Sequence, residues 1–341
     1  MKIVIAALLV SALVAPARAG LPAEATAKAG DVKMDEASRK ATAKALEWLA
    51  AQQNADGSWG KLGLYPHSTA VTSFALFAFL SQGHLPGQGL YGPEVARGAR
   101  FLVASAREDG FLVGSRGGNM YSHAMATLAL AELWGMAGGE EVRSTLERAT
   151  SLIVRTQSPE GGWRYEPEPT GHDISSTILQ VMALRAAKNS GLYVPDQTIA
   201  RAIDYVKECY DPPSGGFRYM PGQREPAYAR TAAGVCILYL TGKYDAREIA
   251  RAVEFMESLG EETARFWYGQ YYAAHAMHQV GGKKWETWYA KTRTKLLARQ
   301  SPDGHWDTWK GTDDAVGAEY RTSIAVTVLS VPLNYLPIFQ R

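Results

Sequence analysis

Cysteine is nearly absent from this chain of 341 residues; only Cys209 and Cys236 occur. Two thiols cannot supply the disulfide framework of a small secreted scaffold. Cys209 falls at a predicted helix end and Cys236 in the middle of the next helix. Antiparallel neighbours hold such positions more than a turn apart, so both are expected as free, buried thiols. A net charge is missing too. Lys2 and Arg18 sit in the N-terminal leader, and the remainder carries 34 basic and 34 acidic residues. With no basic stripe, nucleic acid is excluded as a partner. Beyond the leader no apolar run is long enough to span a bilayer. The leader itself (Lys2, the run Ile3 to Val14, Pro16, then Ala17-Arg18-Ala19) reads as a secretory signal over 1–19. The rest is expected to be exported and soluble, periplasmic or secreted, with 20–34 a flexible lead-in. Peripheral contact with a membrane, and any protein partner, stay open.

What is abundant is a repeat. QNADGSW at Gln53 to Trp59, QSPEGGW at Gln157 to Trp163 and QSPDGHW at Gln300 to Trp306 share Gln, three residues, Gly, any residue, Trp. DPPSGGF at Asp211 to Phe217 and REDGF at Arg107 to Phe111 are worn copies. Asp-Gly, Pro-Glu-Gly and Pro-Asp-Gly are turn chemistry, and the aromatic anchors the turn among apolar neighbours.

Two kinds of helix alternate around these turns. Amphipathic ones are predicted near 35–52, 93–106, 140–156, 196–210, 245–259 and 284–299. Between them lie segments apolar on nearly every side, near 67–82, 121–137, 173–188, 227–241, 267–279 and 320–335. A helix that is apolar all round is enclosed all round. Six half-exposed and six enclosed helices predict an all-α (α/α)6 toroid over 35–341, as a single domain. An open superhelix of hairpins is the alternative, but it needs polar end repeats. The last helix, Thr322 to Leu333, is as apolar as the middle ones and favours a closed ring.

The Gln-x3-Gly-x-Trp phrase, or QW motif, resembles the repeat of squalene–hopene and oxidosqualene cyclases. It is shared more loosely with the β-subunits of protein prenyltransferases. The resemblance implies a toroid whose central apolar cavity holds an isoprenoid. Those cyclases carry Asp-x-Asp-Asp-Thr-Ala at the head of an inner helix, and the middle Asp protonates the polyene. Here Asp173 takes the first place, while Ser175 and Ser176 take the second and third. A serine hydroxyl is no strong acid, so the expected proton donor is missing. Asp313 and Asp314 form a pair, but in a loop rather than on a helix head. The prenyltransferases hold zinc with an Asp and a Cys after a Gly-Gly-Phe turn. The matching stretch offers Glu225 or Pro226, then Ala227 or Tyr228, without a thiolate, so no metal and no cofactor is expected. The Gly-Cys-Gly-Glu-Gln thioester of complement-type toroids is absent as well.

In such a ring the inner helices run parallel, and their N-termini gather at one rim where anions are favoured. Polar residues recur there: His67 and Ser68, Tyr121 and His123, His172 and Asp173, Tyr228 and Arg230, Tyr268 and Gln270, Tyr320 and Arg321. The catalytic candidates are Asp173 and His172, as an acid–base pair. The substrate-binding candidates are His67, Tyr121, His123, Ser175, Ser176, Tyr228, Arg230, Gln270, Tyr271, Tyr320 and Arg321. Asp173 and Ser68 also read as plain N-caps. His67, His123 and His172 read as a metal triad or as unrelated residues. Arg230 and Arg321 either grip an anionic head group or pair with Glu225 and Glu319. His275 and His278 read as core. The leading function is a protein that binds, and in one version transforms, an isoprenoid or other hydrophobic or amphiphilic small molecule. The alternatives are a non-catalytic interaction toroid and a polysaccharide-active (α/α)6 enzyme. The latter needs two carboxylates drawn from Asp173, Asp313, Asp314 and Glu319.

Overall fold

A computed structural model describes residues 32–61, 65–114, 117–223, 225–260, 265–308 and 315–340. The leader and the Asp313–Asp314 pair lie outside the described residues. Outer helices α1 (Glu36–Gln52), α3 (Gly92–Ala104), α5 (Glu140–Arg155), α7 (Asp196–Glu208), α9 (Arg247–Leu259) and α11 (Gly282–Ala298) bury one face each. Inner helices α2 (Thr69–Leu80), α4 (Met120–Ala137), α6 (Ile174–Asn189), α8 (Tyr228–Leu240), α10 (Phe266–Val280) and α12 (Ala318–Ser330) are buried nearly all round. Each inner helix packs on the next, and α12 returns to α2, so the ring is closed.

The repeated turn is what closes it. Each Gln side chain donates to the carbonyl of its own turn's glycine and to a carbonyl on the following outer helix. Gln53 reaches Gly57 O and Glu94 O, and Gln157 reaches Gly161 O and Thr198 O. Gln300 reaches Gly304 O and, on the first helix, Ala41 O at 2.8 Å. Trp59, Trp163 and Trp306 are fully buried, and each indole N–H donates at 2.8 Å to a carbonyl ten residues back. The turn glycine presses against the next outer helix. A Cβ on Gly161 would stand 2.5 Å from Arg201 O, and one on Gly304 would stand 2.6 Å from Lys44 O, both at positive φ.

The apolar run to Leu333 predicts a longer last helix than is found. Pro332 removes a backbone donor, so α12 stops at Ser330 and 331–333 form a 3-10 turn. The chain then folds across the end of the ring where the inner helices finish. Ile338 and Phe339 are buried against α4, α6 and α10. The Ile338 N–H donates to Glu132 at 3.2 Å, Gln279 donates to Phe339 O at 2.6 Å, and the Phe339 ring stacks on His275. No helix among the described residues is long and apolar enough to cross a membrane. Cys209 and Cys236 are buried and unpaired, as expected.

Candidate functional site

Asp173 caps α6 and is wholly buried. Its Oδ1 accepts from the Ser176 N–H at 2.9 Å, and its Oδ2 from the Ser176 hydroxyl at 3.1 Å. The Tyr219 hydroxyl supplies a further hydrogen bond, and Tyr219 in turn pairs with the Tyr165 hydroxyl at 2.7 Å. Burial pushes the Asp173 carboxyl above its ordinary range, against the opposing pull of the Ser176 and Tyr219 bonds. Thus the N-cap and the titratable-acid readings describe the same side chain. His172 places Nδ1 3.0 Å from the Tyr205 hydroxyl, so a tyrosine rather than Asp173 is its direct partner.

The rim is bridged rather than open. Tyr121 on α4 and Tyr268 on α10 stand opposite each other in the ring order, yet their ring centroids are 6.4 Å apart. Ser175 lies beside the Tyr268 hydroxyl, whose pKa burial pushes up to about 12. Below them Tyr272 meets Tyr268 at 4.9 Å, and Phe74 meets Tyr271 at 5.3 Å and Tyr320 at 5.1 Å, mostly edge to face. The axis at this level is therefore filled with aromatic rings. Gln270, also buried, leaves its Oε1 without a hydrogen-bond partner.

Other candidates do not converge here. His67 bonds Asp56 at 2.7 Å and Ser58 at 3.0 Å, inside the first turn. His123 accepts from the Leu112 N–H at 3.1 Å on Nδ1 and lies 3.3 Å from Ala149 O on Nε2. Burial pushes its imidazole down to about 3, so it is neutral. Its role belongs to the repeat. In four other turns a threonine hydroxyl on the inner helix accepts the aromatic's N–H: Thr72 for Trp59, Thr177 for Trp163, Thr231 for Phe217 and Thr322 for Trp306. His123 does the same for the second turn, one residue past Phe111. The three histidines therefore have separate partners, and no group of three His, Cys, Asp or Glu among the described residues can hold a metal. Tyr228 accepts from the Trp288 indole at 3.0 Å and so faces the outer layer. Arg230 donates to Glu225 O, and Arg321 to Trp306 O at 3.1 Å. Arg230 and Glu225 are thus paired, but through a backbone carbonyl. Glu319 is buried and its Oε1 accepts from the Lys61 N–H at 2.7 Å.

Tyr165, Tyr205 and Tyr219 escaped the sequence reading because they lie on loops and an outer helix. The cue available was position: Tyr165 and Tyr219 each stand two residues after the aromatic of a turn. A second unforeseen group is Glu132, buried in α4, whose carboxyl burial pushes up to about 8.

Comparison with known proteins places this geometry. The model of the prenyltransferase alpha-alpha toroid domain matches residues 27–190 and 173–284. Drimenyl diphosphate synthase of Streptomyces showdoensis is 32% identical over 192 residues, which are 55% of this chain and 34% of that protein. Squalene–hopene cyclase of Bradyrhizobium diazoefficiens is 33% identical over 78 residues, 20% of this chain and 11% of the cyclase. The matched segments thus span about a third of one relative's length and about a tenth of the other's. Among solved structures, type II terpene cyclase MstE from Scytonema superposes with a TM-score of 0.62 at 14% identity, covering 89% of this chain and all of that one. A glycoside hydrolase family 76 mannosidase from Bacteroides thetaiotaomicron reaches 0.64 at 10% identity, covering 88% and 98%. At such identities both show the fold alone. The family match, over more than half of the sequence, makes this chain a member of the prenyltransferase alpha-alpha toroid domain family.

Proposed function

We propose that this chain is an exported toroid that binds an isoprenoid or similar lipid-like molecule at the rim of its inner helices, with the tail directed along the axis. The observation that carries this reading is the Asp173 carboxyl. It is buried, its pKa is raised by that burial, and it is hydrogen-bonded by the Tyr219 hydroxyl, with Tyr205 and Tyr268 within electrostatic reach beside an aromatic axis. A buried carboxyl with a raised pKa beside phenol hydroxyls suits a polar head group, and the rings beyond suit an apolar tail. The relatives support the ligand class: one is a drimenyl diphosphate synthase, and the Scytonema cyclase was solved with geranylgeranyl dihydroxybenzoate as its substrate.

The expected open central cavity is not found: aromatic rings fill the axis, so this reading requires the Tyr121 and Tyr268 rings to part for a ligand to enter. Ser175 and Ser176 leave the cyclase motif with one acid, already hydrogen-bonded as a cap, so binding is proposed ahead of cyclisation. If the ligand is transformed, Asp173 is the proposed acid, and His172, held by the Tyr205 hydroxyl rather than by Asp173, the proposed base. The test is native mass spectrometry of the purified chain before and after organic extraction, with thermal unfolding in added polyprenol or polyprenyl diphosphate. Retained lipid and a rise in Tm of about 2 °C or more are expected, since ligand at about a hundred times Kd adds about 2.7 kcal/mol. Empty protein with an unmoved Tm in every lipid overturns the reading.

A further inference from the structure

A second concavity lies about 20 Å along the ring axis from the Tyr121 rim, judging from the thirteen-residue helical separation of Trp134. It is a groove of about 700 Å3 between the end of α4, the outer face of α5 and the loop joining α6 to α7. A smaller hollow of about 300 Å3 continues it, sharing Trp134 and Ser190 and ending at Pro337. The main groove has the size of a small-molecule site.

We propose that this groove binds a neutral saccharide. Its wall carries two aromatic side chains. Tyr193 is 87% exposed, far beyond what a packing role leaves open to water. Trp134 is half-buried, with its indole N–H fixed on Ser190 O at 3.1 Å. Facing them, Arg143 and Glu147 form an ion pair at 3.0 Å, with the guanidinium 5.7 Å from the Trp134 ring centroid. On the floor Thr150 is 3% exposed, and its hydroxyl has no hydrogen-bond partner, not even the carbonyl one turn back that helical threonines use.

Each feature narrows the ligand. One positive and one negative side chain give the groove no net charge, so neither an anion nor a cation is drawn to it. The exposed Arg143 and Glu147 groups beside the aromatic side chains offer donors and acceptors, which match a ring with an apolar C–H face and hydroxyls on its edge. A bare isoprenoid chain would bury the exposed Arg143–Glu147 pair without bonding it, at a cost. The site is independent of the rim around Asp173 and stands or falls separately.

The test is ligand-observed NMR or calorimetry on the full chain, with methyl hexosides, N-acetylhexosamines and linear neutral hexaoses, and with farnesol as the apolar arm. Saturable binding of a neutral saccharide is expected, weakened at least tenfold by Tyr193→Ala, whose exposed ring leaves the fold unchanged. The proposal is overturned if no saccharide binds at millimolar concentration, if Tyr193→Ala binds as well as the parent, or if farnesol alone is held in the groove.

Discussion

Replacing Trp163 with alanine is expected to cost about 3–5 kcal/mol, the range for emptying a fully buried aromatic site. The ring is 1% exposed, and its N–H holds Ile153 O at 2.8 Å, so the cavity and an orphaned carbonyl act together. Trp163→Phe should lose only about 1–2 kcal/mol, because Phe217 fills the equivalent place in another turn and accommodates a phenyl ring there. Urea unfolding of the three proteins checks the order. An alanine variant within 1 kcal/mol of the parent would mean the turns decorate the ring instead of holding it.

Glu132 should give the protein a stability that declines as pH rises from about 5 to 8. Burial lifts its carboxyl to about 8 from an ordinary 4.5, so the native chain keeps a proton that the unfolded chain releases. Above pH 4.5 the unfolded state binds fewer protons, and this group's contribution falls until the folded carboxyl also ionises near 8. Over the three pH units from 5 to 8 the loss is about 4 kcal/mol. Glu132→Gln keeps an acceptor for the Ile338 N–H and cannot titrate. The parent-minus-variant difference in unfolding free energy should therefore shrink by about 3–4 kcal/mol between pH 5 and pH 8, measured by denaturant titration. A pH-independent difference would place Glu132 in contact with water, and the C-terminal segment away from the end of the ring.

The alternation of helices was legible because it is periodic: the amphipathic and enclosed segments fall within a few residues of the observed elements. Closure was legible only indirectly, from an apolar last helix. Gln300 makes the same bond as the other repeat glutamines, but that its partner is Ala41, 259 positions back, is visible only in the folded chain, where α12 also packs on α1 and α2. Of the candidate site, only part of the geometry was legible. Asp173 stands out beside the turn, but its phenolic neighbours arrive from loops at 165 and 219 and from α7. His123 looked like chemistry because it interrupts a threonine pattern that becomes visible only when the turns are superposed. Glu132, within an Ala- and Leu-rich helix, reads as a solvated charge until the last ten residues are seen to cover it.

The claim on which the function rests is that ligand enters at the inner-helix N-termini. A geranylgeraniol analogue carrying a photoactivatable group, cross-linked to the purified chain and mapped by peptide mass spectrometry, tests it most directly. Label is predicted within 119–125, 165–177 and 266–272, the segments bearing Tyr121, Asp173 and Tyr268. Label confined to outer helices or to the loop at 190–195, with those three segments clean, would contradict it.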